Sequence, residues 1–157
     1  MVKRIGNLWE KVISPENLRE AARRACRGRR KTADVEKFLS DRDANLERIR
    51  TMLIDGTYHT SDYRFFDRRE GGKIRHIAAL PFYPDRIVHW ALILATEDVF
   101  MRNFVRRTYA AIPGRGTHDA LTDLRRALRD KRFTYYLKVD VHHYFASIDK
   151  AVLMEKI

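Results

Sequence analysis

Hydrophobic positions near the start of the chain recur at the spacing of an amphipathic helix. Ser14 can cap a helix and Pro15 suits its first position, so a helix is predicted to begin here and to stop at Gly28. Thr32 is predicted to begin a second, longer helix that runs to Gly56. The apolar residues that would face the core from these two helices are Leu18, Ala21, Ala22, Ala25, Val35, Phe38, Leu39, Leu46, Ile49 and Leu53.

The pattern then changes from helical spacing to alternation. Residues 63–68 and 73–77 each alternate, and Gly71 and Gly72 supply a turn between them. Two alternating segments around a Gly-Gly turn predict a β-hairpin. The cations that would decorate this hairpin are Arg64, Arg68, Lys73 and Arg75.

The most apolar helix of the chain is predicted to follow the hairpin, with Asp85 as its cap. This helix would form the centre of the domain, because apolar residues cover more than one of its faces. Its buried side is predicted to carry Ile87, Val88, Ala91, Leu92, Ala95 and Val99.

Three shorter elements are predicted in the rest of the chain. Thr117 would cap a helix, and Ser147 or Asp149 would begin a last one. The aromatic and β-branched run from Thr134 to Val141 predicts a short buried strand. Helices combined with a hairpin and a separate strand indicate the α+β class.

The net charge of the chain narrows the classes of function to consider. Lys and Arg number 32 against 21 Asp and Glu, a formal net charge of +11. An excess of this size favours contact with a polyanion such as nucleic acid, although a ribosomal-type or merely soluble basic protein would share it. The single cysteine, Cys26, excludes a disulfide framework and a cysteine-rich zinc site. The chain has no apolar run long enough to span a membrane, and a cytoplasmic location is expected.

A dense basic stretch covers the end of the first predicted helix and the residues after it. Residues 23–31 contain six cations and no acid. They are either a solvated helix end, favoured by the helix dipole, or a patch that binds the nucleic-acid backbone. The arginines of this stretch are Arg23, Arg24, Arg27, Arg29 and Arg30.

The most specific chemistry lies at the end of the predicted strand. An aspartate there, Asp140, is costly to ionise unless a cation lies beside it, and hard divalent cations prefer carboxylate and carbonyl oxygens. A lone aspartate at a strand end is more often a cap or turn residue. His142 and His143 could suggest zinc, but successive strand residues face opposite ways.

The run Asp-Val-x-x-Tyr-Phe-x-Ser-Ile-Asp from Asp140 to Asp149 closely resembles the first palm motif of reverse transcriptases, of the bacterial group II intron and diversity-generating retroelement types. The resemblance implies that Asp140 is the catalytic aspartate and a magnesium ligand. It also implies that the carbonyl of Val141 binds one of two Mg²⁺ ions and that Phe145 selects deoxyribose. The residues that would lie along the nucleotide triphosphate are His142, His143 and Tyr144.

Two further stretches resemble the same family in order and spacing, so that the resemblance covers almost the whole chain. Residues 72–77 are similar to the family's fingers hairpin, which implies that Arg75 binds the triphosphate of the dNTP, with Lys73 or Arg68 as a second cation. On their own, these cations would be read as solvated hairpin charges.

The second of these stretches, residues 109–120, is similar to a glycine-loop motif near the template. The resemblance implies nucleic-acid contacts by Arg115 and His118, whereas an ordinary capped turn would account for the glycines alone. Arg86 is either structural or a template contact.

The resemblance implies an N-terminal helical extension at 1–60, fingers at 61–133 and the start of a right-hand polymerase palm at 134–157. The implied activity is RNA-directed DNA synthesis from dNTPs on an RNA template and DNA primer with two Mg²⁺ ions. The family's Tyr-x-Asp-Asp motif and thumb are absent from these residues, so we expect a truncated protein, a natural fragment or a split reading frame, inactive alone. The alternatives are a non-catalytic RNA-binding module and a scaffold that binds an accessory protein or itself.

Overall fold

The computed structural model of the protein describes residues 5–130, 132 and 135–156, in two compact units, Met1–Phe104 and Val105–Ile157. Helices and one antiparallel two-stranded sheet make up the described elements, which confirms the α+β class. The first unit contains α1 (Leu8–Val12), α2 (Pro15–Ala25), α3 (Ala33–Leu39), α4 (Arg42–Ile54), β1 (Arg64–Glu70), β2 (Lys73–Ala79) and α5 (Ile87–Asn103). The second contains α6 (Thr117–Leu128), α7 (Tyr144–Ser147) and α8 (Lys150–Lys156).

The core of the first unit forms where α1 and α2 pack against α5. Alanines on α2 and α5 are fully buried, and their small side chains allow the two helices to approach closely. The side-chain amide of Asn17, on α2, donates to the carbonyl oxygens of Val12 and of Ala91 at 3.2 and 3.0 Å, which ties three helices together. The helix start at Ser14 is confirmed, since its hydroxyl accepts the amide of Asn17 at 3.2 Å.

The prediction of one long helix from Thr32 to Gly56 is wrong, because the chain leaves the helical conformation at Asp41 (φ −140°, ψ 50°) and forms α3 and α4 instead. Side chains satisfy the carbonyl groups at the break. The Ser40 hydroxyl donates to the Lys37 carbonyl at 2.9 Å, and the buried Asn45 amide donates to the Phe38 carbonyl at 3.0 Å. These bonds replace the intrahelical ones that a continuous helix would make.

Contrary to the prediction, Asp85 does not cap α5. It anchors the chain segment that leads into the hairpin. Its side chain is fully buried, and the carboxylate accepts the Tyr58 hydroxyl at 2.8 Å and the Ser61 amide at 3.1 Å. No side chain caps α5. Burial opposes ionisation of Asp85, but hydrogen bonds from Ser61 and Tyr58 outweigh it and hold the pKa below its usual value. Burial and the bond to Asp85 raise the pKa of Tyr58 to about 12.

The predicted hairpin is confirmed, with β1 and β2 paired from Arg64–Ala79 to Glu70–Lys73. Gly71 and Gly72 form the turn with φ of 57° and 77°, values that favour glycine. Apart from pairing with each other, the two strands have no strand neighbour in the described residues. Both faces of the hairpin are therefore largely exposed.

Apolar residues on three helices are more exposed than predicted. Leu92 on α5 is 43% exposed although it was expected in the core, and Leu39 at the end of α3 is 39% exposed. Helix α6 has no buried residue, so the face that carries Leu121, Leu124 and Leu128 lies open. The other core residues predicted for α2 to α5 are buried or partly buried, as expected.

Local capping in the second unit is partly as predicted. Gly116, rather than Thr117, precedes α6, and its amide donates to the Asp119 carboxylate at 2.8 Å. Asp149 caps α8, as predicted, by accepting the amides of Ala151 and Val152 at 2.9 and 3.2 Å.

The buried strand predicted from Thr134 to Val141 is not found. Thr134 lies outside the described residues, and residues 135–141 form neither helix nor strand. Their apolar side chains are 60% to 94% exposed, from Val141 to Tyr135. A strand needs a neighbour to pair its backbone groups, and the only strands described, β1 and β2, pair with each other.

The predicted division at residues 60 and 133 remains a prediction. Helices of the predicted N-terminal extension share one core with α5, which belongs to the predicted fingers. Among the described residues, no helix has the length and apolar character needed to cross a bilayer.

Removing the Asp85 carboxylate should destabilise the first unit. Asp85→Ala leaves the Tyr58 hydroxyl and the Ser61 amide without their acceptor, at an expected cost of about 2–4 kcal/mol in the free energy of unfolding. Urea unfolding measures the loss. Asp62→Ala removes an exposed neighbouring carboxylate and serves as the control, with an expected change within about 0.5 kcal/mol. Equal stabilities of the two variants would contradict the anchoring role.

The contribution of Asp85 should also depend on pH. Because its folded pKa lies below that of an unfolded aspartate, near 3.9, the stabilisation is complete above that value and is lost as pH falls through the folded pKa. The difference in unfolding free energy between wild type and Asp85→Asn should therefore stay constant above about pH 5 and narrow below about pH 4. A difference that widens on acidification would contradict the assigned shift.

Candidate nucleic-acid interface

The hairpin gathers its predicted nucleotide-binding cations on one face. Arg68 lies directly opposite Arg75 in the strand register, and Lys73 is paired with Glu70 two positions nearer the turn. Because side chains alternate along a strand, these cations project from the same face. The Arg75 guanidinium Nε lies 3.1 Å from the Glu70 carboxylate, with both side chains about 60% exposed, so the pair is solvated and weak.

The opposite face of the hairpin has different chemistry. Phe65 lies there 75% exposed, and His76 Nδ1 lies 2.6 Å from the Asp67 carboxylate. Arg69, paired with Ile74, is the one arginine of this face. We name the side with Arg68, Lys73 and Arg75 the cationic hairpin face.

Two of the five arginines in residues 23–31 bind a carboxylate of their own helix. Arg23 and Arg24 bind the Glu20 carboxylate at 2.6 and 3.0 Å and lower the pKa of Glu20 to about 2. The Arg24 guanidinium also lies 5.7 Å from the centre of the Trp90 ring and 3.9 Å from Glu97. Arg24 therefore links α2 to α5, which favours a structural role.

The other three arginines project from the turn between α2 and α3. Gly28 has a φ of 75° there and leaves Arg27, Arg29 and Arg30 exposed. Arg29 lies 3.5 Å from Asp34. Among the described residues, no carboxylate lies within 4 Å of the other two guanidinium groups, so both are available to phosphate.

A groove brings together cations that are far apart in the sequence. Arg29 lines it from the turn before α3, Arg64 from the base of the hairpin, and Arg86 and His89 from the start of α5. We name this concavity, of about 1030 Å³, the basal groove. Arg64 and His89 were not predicted as contacts, although two spacings pointed to them: Arg64 alternates in step with Arg68, and His89 lies three helical positions after Arg86.

The glycine loop of the second unit is closed by contacts of its own. Arg115 donates to the Arg106 carbonyl at 3.2 Å, and Ile112 and Arg115 form a β-bridge. The Asp119 carboxylate occupies the N-terminus of α6, where free amide groups would otherwise favour a phosphate. His118 is exposed in the first turn of α6. Nucleic-acid contact by Arg115 and His118 stays a prediction.

The residues around Asp140 lie in an exposed, irregular segment of the second unit. Asp140 and Val141 are both exposed. His142 and His143 lie in a turn, not on a strand, and their ring centres are 3.9 Å apart, so the argument that they face opposite ways is wrong. Tyr144 and Phe145 begin α7, with ring centres 5.1 Å apart. The predicted roles of these residues stay predictions.

A magnesium site is incomplete in the described residues. They contain no group of three or more His, Cys, Asp or Glu side chains arranged to hold a metal ion. Asp140 offers one carboxylate and Val141 one carbonyl, whereas a pair of ions needs carboxylates from more than one place. The residues described do not fit two Mg²⁺ ions, and we derive no chemical step through them.

The chain is similar to two curated proteins, and no protein-family model matches it. It is 28% identical to Protein YkfC of Escherichia coli (strain K12) over 164 aligned residues, which cover 98% of the chain and 43% of that protein. It is also 28% identical to Nuclear intron maturase 1, mitochondrial, of Arabidopsis thaliana over 85 residues, 53% of the chain and 12% of that protein. The chain thus spans less than half the length of either relative. The likeness to an intron maturase is partial and of low identity.

The contacts of Arg24 and Arg27 predict opposite effects of substitution. Arg24→Ala should lower the free energy of unfolding, by about 0.5–1 kcal/mol through the lost Trp90 contact, and barely change RNA affinity. Arg27→Ala should leave stability unchanged and reduce the slope of log K against log salt by about 0.7, the loss of one single-strand phosphate contact. Thermal unfolding and RNA titration at several salt concentrations measure both effects. A reduced salt slope in Arg24→Ala together with a loss of stability in Arg27→Ala would contradict the structural role of Arg24 and the phosphate contact of Arg27.

Proposed function

We propose that this chain is an RNA-binding segment of a protein related to reverse transcriptases. The observation that carries the proposal is the cationic hairpin face, where Arg68, Lys73 and Arg75 lie together and solvent-exposed. Three cations on one face can contact successive phosphates of one nucleic-acid strand. The formal charge of +11 supports association with a polyanion.

The comparisons support an RNA rather than a general polyanion. One relative is named an intron maturase, a name that refers to introns, and the group II intron type of reverse transcriptase is what the motifs of this sequence resemble. The ordered motifs at residues 72–77, 109–120 and 140–149 support the same family. The proposal therefore takes RNA as the physiological ligand.

The catalytic part of the proposal concerns an assembled polymerase. There, Asp140 and Val141 would hold magnesium, Arg75 would neutralise the dNTP triphosphate, and Phe145 would contact the sugar. Magnesium, when bound, would supply charge stabilisation for nucleotidyl transfer. This chain contributes Asp140 on an exposed segment and holds the hairpin through Asp85.

A protein-binding role is the second candidate, and one observation favours it. Leu121, Leu124 and Leu128 form an exposed apolar stripe on α6, 42% to 62% exposed. Such a stripe is typical of a surface that contacts another protein segment. The N-terminal helices support this role less, because their apolar residues already pack into the core of the first unit.

RNA binding by the chain should be strongly salt-dependent. If the three cations of the cationic hairpin face contact phosphate, the affinity for single-stranded RNA should fall about 20-fold between 50 and 200 mM salt. Fluorescence anisotropy with a labelled RNA measures the affinity. The variant with Arg68, Lys73 and Arg75 replaced by Gln should have a lower RNA affinity than wild type. The affinity of Arg69→Gln, changed on the opposite face, should stay close to that of wild type. An affinity that does not vary with salt would contradict the proposal.

The chain alone should not extend a primer. With primer–template, dNTPs and magnesium, we expect no synthesis above a buffer control. The described residues supply one carboxylate, Asp140, whereas a pair of metal ions needs carboxylates from more than one place. Asp140→Ala should keep the RNA affinity of wild type, since Asp140 is exposed and lies outside the cationic hairpin face. Measurable extension by the wild-type chain, lost in Asp140→Ala, would show that this account of the active site is wrong.

A further inference from the structure

The basal groove has a size and a lining that differ from those of a simple charged patch. Its volume of about 1030 Å³ reaches the upper end of the range for ligand sites in proteins, so it can hold more than one nucleotide-sized group. Its walls come from the turn before α3, both ends of the hairpin base and the start of α5. All of these belong to the first unit.

The charge of the basal groove suits a phosphate backbone. Arg29, Arg64, Arg86 and His89 line it, against the carboxylates of Asp34 and Asp62. In the part of the chain that the structure describes, no carboxylate lies within 4 Å of the guanidinium groups of Arg64 and Arg86. Neither arginine is thus paired with a carboxylate, and arginine binds phosphate through paired N–H groups.

Aromatic side chains add a second kind of recognition. Tyr63 and Phe66 line the basal groove and are 53% and 41% exposed. The Arg64 guanidinium lies 5.3 Å from the centre of the Phe66 ring, which forms a mixed cationic and aromatic platform. Nucleobases stack on such platforms, but a base within a duplex is already stacked on its neighbours.

The groove is preformed by the Asp85 anchor. The bonds from Tyr58 and Ser61 to Asp85 fix the segment immediately before Tyr63 against the start of α5, next to Arg86. A preformed wall costs less conformational entropy when a ligand binds. The backbone that leads into Tyr63 is therefore held in place before RNA arrives.

We infer that the basal groove binds an unpaired stretch of RNA, with a base stacked at Phe66 and Tyr63 and the backbone on Arg29, Arg64 and Arg86. This inference rests on the proposed RNA-binding function and adds the ligand class and the site. It predicts a preference for single-stranded RNA that the cationic hairpin face alone would not produce. An acidic protein segment would satisfy the cations but not the stacking platform.

The test compares Phe66→Ala with Phe100→Ala, which removes a 52% exposed phenylalanine of α5 that does not line the groove. Affinities for an unstructured RNA 12-mer and for a 12-base-pair RNA duplex are measured by anisotropy at one salt concentration. Phe66→Ala should weaken single-strand binding roughly 5- to 150-fold and change duplex binding less than about 2-fold. Phe100→Ala should change neither, and Phe66→Trp should restore single-strand binding.

A measurement on the wild-type chain does not depend on the folding of any variant. Photo-crosslinking of the 12-mer carrying 4-thiouridine, followed by mass spectrometry, should place crosslinks at Tyr63 or Phe66. Crosslinks confined to other parts of the chain would overturn the inference.

The outcomes distinguish a failure of the groove assignment from a failure of the proposed RNA-binding function. A chain that binds RNA with equal losses in both Phe variants, or with none, would overturn the groove assignment and leave the proposed function standing. Stronger binding of the duplex, or equal displacement of RNA by poly-glutamate at matched charge, would overturn the preference for unpaired RNA. A chain that binds no RNA would contradict the proposed function itself.

Discussion

The buried carboxylate of Asp85 is the contact on which the arrangement of the first unit depends. It accepts hydrogen bonds from Tyr58 and Ser61, residues 27 and 24 positions earlier in the chain. A two-stranded hairpin is marginally stable alone, so it needs an attachment to a core. Asp85 provides this attachment just before the start of α5, next to Arg86, which lines the basal groove.

The isolation of the hairpin explains how one short element can present two chemistries. With no third strand in the described residues, both faces meet solvent, and alternation assigns each side chain to one of them. Arg68, Lys73 and Arg75 fall on one face, and the Asp67–His76 pair falls on the other. A one-residue shift in register would have divided the cations between the faces.

Features that depend on near neighbours were predictable from the sequence. The Ser14 cap, the Gly71–Gly72 turn and the Asp149 cap each involve residues within three positions. Features that depend on distant partners were not predictable. The helix break needs the Asn45 amide to reach the Phe38 carbonyl seven residues away, and the engagement of Arg24 needs α5. The strand expected to end at Val141 is not found for the same reason, because a run of aromatic and β-branched residues does not supply a pairing partner.

RNA is proposed to contact one face of the hairpin and the groove at its base. The most direct measurement is an NMR titration of the arginine side-chain Nε–Hε signals with a single-stranded RNA 12-mer. If RNA binds at these two places, the signals of Arg68 and Arg86 should shift on binding, whereas the signal of Arg69, on the opposite face, should not shift. Equal shifts of all three signals, or a shift at Arg69 alone, would contradict the proposed contacts.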